Sequence, residues 1–472
     1  MTMKSRTFLL NLLVAGLVQS ALAADSKSTW PQWRGPLGNG VAPDATPPLE
    51  WSDSKNVRWK VKIPGSGTST PVIWGDRVFI LTAIPVPKPE TASPAATDSA
   101  VSPAVAAATA GQTNPPAADA QGQRPGGRQR GGGRAEKPDQ EFQFVIVCLD
   151  RATGRTLWQK TARQEIPHEG HHRDHGFASA SPVTDGELVF AYFGSRGLYC
   201  YDFNGNLKWE TDFGDMKTRN SFGEGASPVL VGNSIVVNWD DETDNDFIVA
   251  LDKRTGKELW KTKRNEETGW STPFVVEHSG KKQIIVNSRR IRAYDADTGE
   301  LIWECGGQTS NAIPTPVADA DTIYAVSGFR GAAAQAIKIG LKGDLTGNPE
   351  AIRWSYNKSM PYVPSPVLVN GFLYTVSGNN GVLSCFDSKT GKPHYEAERL
   401  EGIFGIYASL VSAQDRIYVL GREGTCLVLK LGPKLEILAS NKVDDKTDAS
   451  IAMAGKDLFI RGHQHLYCIA EQ

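Results

Sequence analysis

The chain has 472 residues, 40% of them hydrophobic and 22% charged, with a formal net charge of -1 at pH 7. This near-balance excludes a general nucleic-acid or membrane-surface binder, although it leaves room for a local basic patch. Length alone does not divide the chain, because all-β folds built from repeated sheets exceed the usual domain size.

At the start, Lys4 and Arg6 precede an apolar run from Phe8 to Val18, and Ala21-Leu22-Ala23 stands before Ala24. This predicts a signal peptide over residues 1–23, cleaved near Ala23, and hence a periplasmic or secreted protein. The apolar run falls short of the roughly 20 residues that span a bilayer, so no transmembrane segment is expected. Residues 24–55 carry Trp30-Pro31-Gln32-Trp33-Arg34-Gly35-Pro36 and Gly38-Asn39-Gly40, too turn-rich to fold alone. They read as a segment capping exposed sheet edges; a functional reading places Trp33 and Arg34 over a pocket.

From residue 56 to 472 the pattern is of short strands with alternating β-branched residues between turn signals. A Ser/Thr-Pro step introduces each unit, at Pro71, Pro182, Pro228, Pro273, Pro316 and Pro366, with degenerate copies at Leu410 and Ile451. After Pro182 these steps recur at roughly 40- to 50-residue intervals, the period of four-stranded propeller blades. The longer first interval contains residues of about 84–140, rich in Ala, Pro, Gly, Gln and Thr, with Arg124, Arg128, Arg130 and Arg134 among glycines. Such a composition cannot offset its ordering entropy by burial, so a disordered insertion is expected, and no nucleic-acid binding.

A second signature, Asp-x-x-Thr-Gly-x-x-x-Trp, recurs as Asp150 to Trp158, Asp252 to Trp260 and Asp295 to Trp303. Asp and Thr-Gly supply a capped turn with positive φ, and the Trp lays a large ring between neighbouring sheets. The eighth unit ends after three strands, and the missing fourth is the orphan segment 56–63 with Trp59. The expected fold is therefore all-β: an eight-bladed β-propeller of four-stranded antiparallel blades, closed by the N-terminal strand pairing in the last blade. The six cysteines include Cys148, Cys200, Cys385 and Cys468 at equivalent repeat positions, where other units carry Ala; they read as small core residues with free thiols.

In a propeller, the loops leading into the innermost strands and those joining second to third strands share one face. That face would carry Arg219, Asn220, Trp270, Arg330, Tyr362, Tyr407, Arg422 and His463, a mostly basic and aromatic mouth. Arg219, Arg330 and Arg422 either point forks at a ligand on the axis or pair with blade carboxylates. His168, His171, His172 and His175 form a dense cluster that could ligate Zn²⁺ or Cu²⁺, line a polar loop or contact a ligand. Asp240, Asp241, Glu242, Asp244 and Asp246 read as a charged hairpin tip, lacking the glycine and distal glutamate of an EF-hand loop. No phosphate-binding glycine loop, metalloprotease helix motif or nucleophile elbow is present.

The Ser-Pro step, the strand Leu198 to Asp202 and the Asp-x-x-Thr-Gly-x-x-x-Trp turn resemble the repeats of pyrroloquinoline-quinone-type eight-bladed propellers. The opening Trp-Pro-Gln-Trp-Arg-Gly-Pro is similar to that of exported BamB-like propellers. The resemblance implies one of two roles. Quinoprotein dehydrogenases use the quinone with Ca²⁺, a vicinal cysteine pair and an Asp base, whereas BamB-type proteins bind other proteins without catalysis. No two cysteines are adjacent here. The expectation is thus a monomeric, non-catalytic scaffold without a cofactor that binds a protein or a small anionic ligand at its axial mouth. The alternative is a pyrroloquinoline-quinone-dependent dehydrogenase of alcohols or sugars, with calcium.

Overall fold

The computed structural model describes residues 28–88 and 135–471. The expected signal peptide and nearly all of the expected insertion lie outside the described residues. At the insertion's edges the second strand of the first blade, Arg77–Pro85, still pairs with the third, Phe142–Asp150.

Eight antiparallel sheets follow one another around an axis, each ordered from an innermost to an outermost strand. The innermost strands begin at Val72, Val183, Val229, Phe274, Val317, Val367, Val411 and Ala452, each within two residues of the Pro step or its degenerate copy. Blade eight combines three C-terminal strands with Val57–Lys62, which pairs with His465–Ile469 and closes the ring. Closure removes the two free edges that an open array would expose. Two short parallel additions modify the frame. Gly343–Asp344 extends the outer edge of blade four, and Val41–Ala42 lies on the innermost strand of blade seven.

The core sits between sheets. Leu198 and Cys200 of blade two pack with Ile235, Val249 and Leu251 of blade three, and the same interdigitation recurs around the ring. All six cysteines are buried and unpaired. Burial pushes the Cys148 thiol up to about 12, where it stays protonated and unreactive.

The turn signature has a two-sided cause. Within its own blade, Asp252 Oδ1 accepts from the backbone N–H and hydroxyl of Thr255, both at 2.8 Å. Across the blade boundary, Gly256 (φ 71°) lies under the ring of Trp209, where a Cβ would come within 2.7 Å of the indole. Trp209 Nε1 then donates to Lys253 O at 3.0 Å. Trp59, Trp158, Trp260 and Trp354 make the same bond to the next blade's turn. A bulge just before each outer-strand Trp, such as that between Ala250 and Leu251 in the register with Trp260, turns the indole toward its neighbour.

Candidate functional site at the axial mouth

The Ser/Thr residue before each Pro step has a structural role that builds the site. The backbone N–H of Thr70 donates to Ser181 Oγ, that of Ser181 to Ser227 Oγ, and that of Ser227 to Thr272 Oγ1, each at 2.9 Å. The relay resumes from Thr315 to Ser365, Ser409 and Ser450, again at 2.9 Å each. Blade is thus tied to blade around the axis by side-chain oxygens. Each such oxygen retains a second lone pair and its own proton.

Above this ring lies a cavity of about 250 Å³. Its floor is Trp33, delivered by the N-terminal segment that enters from the opposite face. Trp30 is fully buried and pairs with Ile73 of blade one, and Arg34 is clamped by the carbonyls of Leu410, Asn39 and Pro366 at 2.6–2.8 Å. No carboxylate joins that clamp among the described residues, and burial lowers the Arg34 guanidinium to about 9. Gly40 must lack a Cβ here, since one would meet Arg34 Nη2 at 2.5 Å and Leu410 O at 2.8 Å. Of the two residues that the pocket reading placed over a pocket, Trp33 lines the cavity and Arg34 does not.

The cavity walls include Phe222, Trp270, Tyr362 and Tyr407, with His172, His175, Asp174 and Asp448 between them. Trp270 is fixed by Nε1 donation to Gly223 O at 2.7 Å. His175 lies deep in the wall, where Nδ1 meets the N–H of Gly176 at 2.8 Å and Ser179 Oγ at 3.0 Å. Burial pushes its pKa down to about 4, leaving a neutral ring at physiological pH.

Arg422 stands behind one wall. Its Nε and Nη2 reach Asp448 at 2.6 and 3.2 Å, Nη2 also reaches Asp174 at 3.1 Å, and its guanidinium stacks 4.1 Å from the centre of the Tyr407 ring. Tyr407 donates to Asp174 at 3.2 Å, and His463 Nε2 meets Asp448 at 2.8 Å. Burial would raise the Asp448 carboxyl, but the bonds from His463 and Arg422 outweigh it and hold the group below the ordinary range. For Asp174 the bonds from Arg422 and Tyr407 likewise win over burial.

The structure thus brings Trp270, Tyr362 and Tyr407 together at the cavity and leaves other expected mouth residues elsewhere. Arg219 is spent on Glu267 at 2.6 Å and on Asn311 at 3.0 Å. Asn220 adopts φ 54° and its carbonyl accepts from Ala135 N, at the returning end of the insertion. Arg330 is exposed on the rim over Phe329. A further arginine, Arg461 at the end of the second strand of blade eight, is buried on Ser69 O and Leu81 O. The expected arginines thus stand around the cavity and not in it: the cavity lining contains two carboxylates and, among the described residues, no lysine or arginine.

The four histidines also part company. His168 Nε2 bonds Met216 O at 2.6 Å, His171 packs edge-on to Phe177, His172 packs on Phe222 in the cavity, and His175 lies in the wall. Among the described residues no group of three or more His, Cys, Asp or Glu side chains is assembled to hold a metal ion. His168, with Glu169, Tyr192 and Glu224, lines a small pocket of about 40 Å³. Burial pushes Glu224 up to about 7 although Ser195 N and Oγ donate to it at 2.7 and 2.6 Å.

The acidic loop is only partly a solvent-exposed tip: residues 242–245 are exposed, and the acidic residues at its base are not. Asp240, Asp241 and Asp246 are buried. Asp240 pairs with Arg264 at 2.7 Å with both side chains fully inaccessible, and Glu242 accepts from the N–H of Thr268 at 2.8 Å. Asp240, Asp241, Glu242 and Asp246 fasten blade three to its surroundings, while Asp244 is exposed at the tip.

Eight four-stranded blades, the tryptophan-to-turn bonds between them and an axial cavity above a hydroxyl ring define a pyrroloquinoline-quinone-type eight-bladed β-propeller. Within that class the chain belongs to the outer membrane protein assembly factor BamB family, whose family model matches residues 143–396, more than half of the sequence. BamB of Yersinia pestis is 22% identical over 293 residues, covering 60% of this chain and 65% of that protein. Two solved structures share the fold. A europium-containing methanol dehydrogenase superposes with a TM-score of 0.60 at 9% identity, over 94% of this chain and 92% of its own. A quinohemoprotein alcohol dehydrogenase from Comamonas testosteroni gives 0.58 at 9% identity, over 96% and 84%.

Proposed function

We propose that this protein is an exported, non-catalytic propeller that binds a protein partner through its mouth face. The observation that carries this reading is Phe404, 73% exposed at the crest of the loop that also sends Tyr407 into the cavity. A large apolar side chain held in water beside a pocket of Trp and Tyr, with Arg330 and Phe329 on the neighbouring rim, has the composition of an interface hot spot. The likeness to a curated outer membrane protein assembly factor supports a protein ligand.

The cavity chemistry weighs against the quinone alternative. Pyrroloquinoline quinone is a tricarboxylate, and the lining would face it with Asp174 and Asp448 while the nearby guanidinium of Arg422 is already shared between those two groups. For the same reason a protein segment is favoured over a small anion. No helix among the described residues is long and apolar enough to cross a membrane.

A photo-crosslinking residue placed at position 404, with one at the outer-strand position Leu259 as control, tests the reading in the native host. The expected result is a discrete protein adduct from position 404 and none from 259. Adducts from 259 alone, or none from either, would overturn it.

A further inference from the structure

Five aromatic side chains line the axial cavity: Trp33 as floor, and Phe222, Trp270, Tyr362 and Tyr407 as walls. Two of its lining groups are carboxylates, Asp174 and Asp448, and no lysine or arginine is among its described lining residues. The one guanidinium behind the wall, Arg422, is shared by both carboxylates and lies outside the cavity lining. Arg173 Nε and His172 Nδ1 stand 3.7 and 3.8 Å from Asp174, and His463 Nε2 stands 2.8 Å from Asp448; of these three only His172 is itself a lining residue. The ring below supplies Ser181, Ser227, Ser409 and Ser450, each at least nine-tenths buried and each with a lone pair beyond the one that accepts the neighbouring N–H.

An aromatic-walled space of this size, whose lining presents carboxylates and no lysine or arginine, disfavours anions and offers a neutral ligand no charge complement. It matches a cation with an apolar skirt, which gains from ring quadrupoles and carboxylates together and loses little on leaving water. We infer that the axial cavity is a receptor for an organic cation, an alkylated ammonium or a guanidinium head. This deepens the partner-binding reading and rests on it in one respect: the cation can be a Lys or Arg side chain that the partner inserts while its backbone lies along the rim. It can equally be a free small molecule, and the two sources are separable by experiment.

Purified full-length chain is titrated calorimetrically with choline, with the neutral isostere of choline in which carbon replaces the nitrogen, with acetate, and with the N-acetyl amides of lysine and arginine. Saturable binding of choline or of an amino-acid amide is expected, with the carbon isostere weaker by about tenfold or more. Preference for the free cation points to a metabolite, and preference for an amide points to a side chain of the partner. Phe222→Leu and Asp174→Asn should each weaken the preferred cation by about tenfold, with thermal melting run alongside to establish that both variants fold. Equal binding of the isostere, binding of acetate instead, or no heat from any cation with the folded wild type would overturn the inference. If that failure were accompanied by an intact adduct at position 404, only the cavity assignment would fall, whereas loss of both would remove the partner reading as well.

Discussion

Glu224 illustrates how a single residue's chemistry is set by packing that its local sequence does not announce. Its carboxyl borders a space with room for little more than a water molecule, and burial lifts its pKa from 4.5 to about 7. The folded protein therefore holds a proton at this site that the unfolded chain has released. The resulting stabilisation is complete below about pH 4.5 and is lost as pH rises through about 7. Replacing the group with its uncharged analogue, Glu224→Gln, should flatten the fall in melting temperature between about pH 5 and about pH 8. Scanning fluorimetry of both proteins over that range checks this, and parallel slopes would contradict it. Sequence reasoning had no purchase on Glu224, which lies in no motif. It did find Trp270, Tyr362 and Tyr407, because large aromatics in loops leading to the axis have few places to go. For the arginines it left two outcomes open, forks toward a ligand or pairs with carboxylates, and could not choose, because Glu267 and Asp448 lie 48 and 26 residues from Arg219 and Arg422.

At the scale of an element, the acidic loop of blade three departs furthest from its reading. Five acidic residues between two strands look like a solvated tip, but the neighbouring blades wall in Asp240, Asp241 and Asp246 and supply donors for them. The Asp240–Arg264 pair has no exposure at either end, and Tyr294 and Ser288 complete its bonding. Removing one member strands the other charge in the interior, so Asp240→Ala should cost about 3–5 kcal/mol. Chemical denaturation measures the loss directly; a cost below about 1 kcal/mol would mean that water reaches the site and that the loop opens in solution. The turn signature, by contrast, was legible, because each of its residues answers a local demand. Asp and Thr cap the turn, Gly supplies positive φ, and the Trp ring of the preceding blade leaves no space for a Cβ.

For the whole molecule, the number of blades could be read from the period and the chain closure from the strand missing in the last unit, since a sheet that cannot bury both faces must stack. What period could not supply is the inside of the ring. The Ser/Thr before each Pro was visible as a marker, but the bond its side-chain oxygen accepts from the preceding blade's N–H is a relation between units some 45 residues apart. The floor at Trp33 comes from a segment outside the repeat altogether, and Asp448 carries no motif. The resulting molecule has a rigid frame whose charged groups are mostly consumed internally, and one face on which aromatic side chains remain available. That the mouth face is the binding face is the central claim. It is tested most directly by hydrogen–deuterium exchange of the free chain against the chain bound to its captured partner. Protection is expected in the loops that carry His172, Trp270, Phe404 and Tyr407, with the outer strands unchanged; protection confined to the outer strands around Leu207, Leu259 and Leu301, or to the opposite face, would contradict the account.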